Sequence, residues 1–115
     1  MFNFENLRVY KDSIDLVNVV YEITKKYPKE ELFGITNQFR RAAVSISLNI
    51  AEGSSRTKKD FKHFLSLARG SCFECVAIAT ISKAQTYISD TEFEKIYEIC
   101  LILSKMISKL KTSLV

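Results

Sequence analysis

Between Arg56 and Arg69 the chain carries six residues suited to a polyanion: Arg56, Lys58, Lys59, Lys62, His63 and Arg69. Lysine and arginine are permanent cations that donate to phosphate oxygens and release condensed counterions on binding. At helical spacing Lys58, Lys62 and Arg69 follow one face, with Lys59 and His63 alongside. Phosphate contact is the chemistry this pattern suits. A solvated surface stretch has the same composition, and both readings stand at this level.

A second constellation is polar without being basic. Arg41, Ser45, Asn49 and Glu52 fall within an arc of about 80° on one helix, beside the apolar residues Phe39, Ala43, Ile46 and Ile50. Glu74, on the following helix, stands between Phe73 and Cys75. A carboxylate in apolar surroundings needs a cation, because an unpaired buried charge is costly. Arg41 is the first choice of partner. One reading is a buried polar network that fixes the register of the second and third helices. The other is a contact with a ligand or a neighbouring subunit.

The remaining candidates point away from catalysis. His63 is the single histidine, and no Gly-x-Ser-x-Gly elbow accompanies it. Cys72-Phe73-Glu74-Cys75 has C-x-x-C spacing. Redox use needs that motif at a helix N-terminus, where the dipole lowers the thiol pKa; here it lies inside a long helix, and core packing is expected. Zinc would need a second ligand pair, and Cys100 stands alone. With three glycines there is no phosphate-cradling loop. The expectation is a non-enzymatic chain with no metal and no cofactor.

Four helices must position these residues. Leu7, Tyr10, Ile14, Val17 and Tyr21 recur every three or four residues, widened by Val20 and Ile23, and predict a helix over 7–27 that Pro28 stops. A second helix is predicted over 35–51, with Ile35, Phe39, Ala42, Ala43, Ile46 and Ile50 inward and Gly53 permitting its end. Thr57 with Asp60 caps a third, over 58–87, whose core face runs from Phe61 through Phe64, Leu65, Ala68, Cys72, Cys75 and Val76 to Ala79. Ser89 with Glu92 forms a capping box for a fourth, over 90–112. Its seam is Phe93, Ile96, Tyr97, Cys100, Leu103, Ile107, Leu110 and Leu114, while Ile99, Ile102 and Met106 make a second apolar side. That second side reads either as deep burial or as a self-association surface. Short connections make the helices antiparallel neighbours, so the expected fold is an all-α, antiparallel up-down four-helix bundle, one domain over 1–115.

Composition agrees. One proline and three glycines in 115 residues leave too few breakers for a β-sandwich. No apolar run reaches the roughly 18–20 residues of a membrane span, so no membrane partner is expected. The start, Met1 to Asn6, lacks the pattern of a signal peptide, and the expected compartment is the cytoplasm. Net charge is +4, and residues 35–70 hold seven Lys/Arg against two Asp/Glu, whereas residues 71–115 hold five against five. The positive excess therefore lies in the middle third, the footprint of a polyanion partner.

Taken together, several segments resemble one family. These are Phe4-Glu5-Asn6-Leu7-Arg8-Val9-Tyr10, Tyr27-Pro28-Lys29-Glu30-Glu31-Leu32-Phe33-Gly34, Gln38-Phe39-Arg40-Arg41-Ala42-Ala43-Val44-Ser45-Ile46 and Asn49-Ile50-Ala51-Glu52-Gly53, then Arg56, Phe61, Phe64-Leu65, Ala68, Gly70-Ser71 and Glu74. The chain resembles the four-helix bundle proteins encoded in intervening sequences of bacterial large-subunit ribosomal RNA genes. The accessory variability determinant of diversity-generating retroelements is a relative of that group. The resemblance implies a ring-like homo-oligomer, a pentamer, with no enzyme activity. For the retroelement relative it implies a positively charged oligomer that binds nucleic acid, RNA or DNA, and a reverse transcriptase. Arg41, Ser45, Asn49, Glu52 and Glu74 are signature positions, with a structural role expected. Ser47 stands where the family usually has proline, Tyr10 where it has tryptophan, and Cys75 where it has leucine.

Overall fold

The computed structural model describes all 115 residues. Four helices account for the architecture: α1 Arg8–Thr24, α2 Ile35–Ser54, α3 Lys58–Ala84 and α4 Asp90–Ser113. Short 3-10 turns at Asn3–Asn6 and Lys29–Glu31 precede α1 and α2. Each helix packs on its chain neighbours, and α4 closes the ring against α1, while the Cα traces of the diagonal pairs stay more than 8 Å apart. Cross-helix bonds fix the antiparallel sense. Asn3 reaches Ser54, Lys26 reaches Glu92 and Lys58 reaches Val115, so every helix start lies beside its neighbour's end. The molecule measures 44 × 22 × 21 Å, about the length of the 27-residue α3.

Two N-termini fall where their caps place them. Thr57 accepts from the Asp60 N–H, and Ser89 and Glu92 exchange the two bonds of a capping box. The α2 face is as expected, with Phe39, Ala42, Ala43, Ile46 and Ile50 buried and Ile35 half-buried. The α3 face also holds, from Leu65 through Ala68, Cys72 and Cys75 to Ala79, flanked by half-buried Phe61, Phe64 and Val76. By composition α3 is long and apolar enough to cross a bilayer. Here it packs between α2 and α4 and gives its apolar side to the core.

Three expectations are corrected. The inward stripe of α1 is Val9, Ser13, Leu16, Val20, Ile23 and Thr24, whereas Ile14 and Tyr21 are exposed. Buried hydroxyls displace the apparent apolar centre. Ser13 bonds Tyr10 O at 2.6 Å and Ser47 Oγ at 2.8 Å, and Thr24 bonds Val20 O and receives Arg40 Nε. Satisfied in this way, hydroxyls are buried at little cost. Ser47, which stands where proline is usual, thereby ties α2 to α1.

Gly53 does not end α2, which runs on to Ser54. It is buried, and a Cβ there would lie 2.6 Å from Phe64 Cβ and 2.9 Å from Phe61 Cδ1. Glycine at this position lets α2 and α3 meet almost backbone to backbone.

The third helix stops at Ala84, three residues early. Thr86 takes φ 62°, with Tyr87 N–H bonded to Ser82 O and Thr86 N–H to Lys83 O. That is the paired bonding of a Schellman stop, built on a threonine instead of the usual glycine.

Candidate nucleic-acid interface

All six residues of the basic stretch lie at the α2–α3 turn and along the first half of α3. Arg56, Lys58, Lys59, His63 and Arg69 are exposed and Lys62 is half-buried. Their engagements differ. Arg56 is paired with Glu52 at 3.5 Å and lies over the Phe64 ring. Arg69 stacks on Phe73, its guanidinium carbon 4.7 Å from the ring centre. Lys58 donates to the main-chain oxygen of Val115 at 3.1 Å. None of Lys59, Lys62 and Arg69 has a carboxylate partner.

Reading the charge by thirds hid a further contribution. Within α4 the acids Asp90, Glu92, Glu94 and Glu98 occupy the first nine residues, while Lys105, Lys109 and Lys111 follow with no acid after Glu98. Antiparallel packing sets the second half of α4 beside the first half of α3, and Lys111 donates to Ser66 Oγ at 2.7 Å. Residues 58–71 and 99–115 thus carry seven Lys/Arg against Asp60 alone. Residues 72–98, at the other end, carry Lys83 and Lys95 against five acids. The signal was available in the order of charges along α4, once the pairing of its end with the start of α3 was drawn.

Lys58, Lys59 and Lys62 also oppose local electrostatics. They stand in the first turns of α3, where the macrodipole is positive and acids are favoured. The arrangement weakens the helix start slightly, so helix formation does not explain it.

The polar ridge splits. Ser45 and Asn49 are half-buried and bonded to each other, and Ser45 Oγ reaches Ser71 Oγ on α3 at 3.0 Å. Ser71, absent from the expected set, is the link that joins the two helices. Arg41, Glu52 and Glu74 are exposed. Arg41 and Glu74 line one surface groove with Phe33 and Gln38 but form no ion pair. The expectation of a buried Arg41–Glu74 pair is therefore corrected: α3 turns Glu74 outward, away from the core face of Cys72 and Cys75.

The second apolar side of α4 is corrected in part. Ile99 and Met106 are half-buried against the chain's own core, and only Ile102, 47% exposed, faces outward. The larger apolar exposure lies between α3 and α4. There Phe73 (56% exposed), Tyr97 (43%) and Leu101 line a groove of about 300 Å³.

No group of three or more His, Cys, Asp and Glu comes together in a metal-binding arrangement. Cys72, Cys75 and Cys100 are buried free thiols. Burial pushes Cys72 up to about 12, and the contact with Cys100, followed by burial, raises Cys75 as well. Thiols so raised carry little thiolate near neutrality.

No curated protein matches this chain. A crystal structure of a protein of unknown function from the S23 ribosomal protein family of Bacteroides thetaiotaomicron superposes with TM-score 0.82 at 20% identity, covering 91% of this chain and 96% of that one. At that identity the likeness establishes the fold. The model of the 23S rRNA-intervening sequence protein family matches residues 5–109, a span that takes in α1, α2, α3 and all but the last turn of α4; the chain belongs to that family.

Proposed function

We propose that this protein is a non-enzymatic, homo-oligomeric bundle that binds structured nucleic acid through the basic end formed by α3 and α4. The observation that carries the reading is the run of cations Lys58, Lys59 and Lys62 at the start of α3, of which Lys59 and Lys62 have no ionic partner, reinforced across the interface by Lys111. Charges placed against the macrodipole and left without carboxylates serve something other than the fold. The family's name, which ties its members to sequences interrupting 23S rRNA, supports RNA as the first polymer to test. Repetition of the basic end in an oligomer, a pentamer by the family resemblance, would convert a weak single site into avidity.

Fluorescence anisotropy with a labelled structured RNA and a matched duplex DNA tests it. With about four phosphate contacts, affinity should fall roughly 50- to 150-fold between about 50 and 200 mM salt, linearly on a log–log scale. Lys58→Glu with Lys62→Glu should abolish binding at the higher salt while helicity is kept. Undiminished binding by that double variant would sink the assignment.

A second reading rests on the apolar groove of Phe73, Tyr97 and Leu101. There the protein is an interaction scaffold, self-associating or serving an enzyme such as a reverse transcriptase, and nucleic acid is incidental. Leu101→Glu should then lower the mass measured by light scattering or block the partner, with RNA affinity per chain unchanged.

A further inference from the structure

Between the first half of α3 and the last turns of α4 lies an open cleft of about 440 Å³. Its floor is apolar, formed by the fully buried Leu65 and Ile107. Its walls carry three cations, Lys62 and Arg69 from α3 and Lys111 from α4, together with the hydroxyls of Ser66, Ser108 and Thr112. No carboxylate lines it. Lys62 and Arg69 are seven residues apart, so they lie nearly in line, about 10 Å apart along the helix. Ser66 sits between them and accepts from Lys111 at 2.7 Å, which holds the α4 lysine across the opening. The Arg69 guanidinium carbon lies 4.7 Å from the Phe73 ring centre, and the guanidinium forms no ion pair.

Folding alone does not call for this set. Lys111 gains from its place in the last turn of α4, where cations are favoured. Lys62 and Arg69 have no such benefit, and three like charges around one cleft repel each other until an anion enters.

We propose that the α3–α4 cleft is a phosphate-group site, with Lys62, Arg69 and Lys111 supplying charge and the Ser108 hydroxyl a shorter contact, since the hydroxyls of Ser66 and Thr112 donate to Lys62 O and Ser108 O. The inference deepens the nucleic-acid reading and rests on it only for the source of the phosphate, a nucleic-acid backbone or a small phosphate compound.

The test uses the full-length, isotope-labelled chain titrated separately with inorganic pyrophosphate and with a short structured RNA, followed by amide chemical shifts. Shifts clustered at Ser66, Ser108 and Thr112, lost in Arg69→Gln/Lys111→Gln and kept in Lys111→Arg, are expected. That double variant should also bind RNA about 10-fold more weakly, with the salt slope flatter by roughly 1.5, as for two lost phosphate contacts. Cleft shifts with pyrophosphate but no RNA binding would support the site, assign it to small phosphates, and remove the nucleic-acid reading. If RNA binding is weakened by Lys58→Glu/Lys59→Glu alone and neither ligand moves the cleft amides, the cleft proposal is overturned and the nucleic-acid reading survives.

Discussion

The two ends of the bundle use charge in opposite ways. At the acidic end, cations and carboxylates meet across elements, Lys26 just after α1 with Glu92 and Lys83 of α3 with Asp90, and the Tyr87 hydroxyl donates to Glu31 at 2.8 Å. The Ser89–Glu92 box places acids where the macrodipole of α4 wants them. At the basic end, Lys58 bonds the main-chain oxygen of Val115 and Lys111 bonds a neutral hydroxyl, and Lys59, Lys62 and Arg69 have no ionic partner. One end joins helices through ion pairs, whereas the other pairs only Arg56, with its neighbour Glu52, and leaves Lys59, Lys62 and Arg69 free. The free end is where a partner is to be sought.

The largest effect should come from reversing charge at one end and then at the other. Lys58→Glu/Lys62→Glu should cost RNA affinity about 100-fold or more, and Glu94→Lys/Glu98→Lys should change it by less than about 3-fold. Thermal stability should move the other way. An acid at position 58, in the first turn of α3, interacts favourably with the macrodipole by about 0.3–1 kcal/mol, so the binding-defective variant should melt no lower than the parent. Equal losses of affinity at both ends would erase the functional distinction between them.

Next in size is packing at the basic end. Gly53→Ala forces a methyl to within 2.6 Å of Phe64 Cβ, whose position is tied to the α3 backbone. Overpacking of this kind should destabilise by about 1–3 kcal/mol, read as a lower denaturant midpoint. Gly70→Ala is the matched control, since nothing lies within 4 Å of its added carbon. Removing a helical glycine there should stabilise by up to about 1 kcal/mol.

At the acidic end the comparable weakness is Thr86, a β-branched residue held at φ 62°. Thr86→Gly should relieve the left-handed conformation and stabilise by about 1 kcal/mol. A drop in melting temperature would show that the threonine side chain contributes more than its backbone costs.

These same residues mark what the sequence could convey. Helix number, two of the N-termini and the core faces of α2 and α3 were legible because caps and apolar periodicity are local signals. The α1 stripe was not, because Ser13 and Thr24 enter the core on hydrogen bonds that periodicity cannot count. Gly53 and Thr86 exchanged roles: the glycine that looked like a stop is a contact point, and the threonine that carried no stop signal ends a helix. Of the candidate interface, the α3 half was readable as a cluster of cations. The α4 half was masked, since its acids and lysines cancel in any average over 71–115 and separate only when the helix is laid antiparallel to α3.

The smallest expected effect tests the acidic end directly. Glu92 accepts from Lys26 and, at 2.9 Å, from the Ser89 N–H. The Lys26 bond first, and the Ser89 N–H next, hold its carboxyl below the ordinary glutamate value of 4.5. In that range the unfolded chain binds the proton more readily than the folded one, so stability rises with pH. Its contribution is complete above about 4.5 and fades as pH falls through the lowered folded value. Glu92→Gln should therefore lower the melting temperature at pH 7 and converge with the parent near pH 3. The basic end offers no side-chain carboxylate bridging two helices, so charge-removing substitutions such as Lys59→Gln should leave that acid limb unchanged. A parallel offset between parent and Glu92→Gln at every pH would mean that the residue acts through packing alone, and the electrostatic contrast between the ends would rest on Lys83–Asp90 instead.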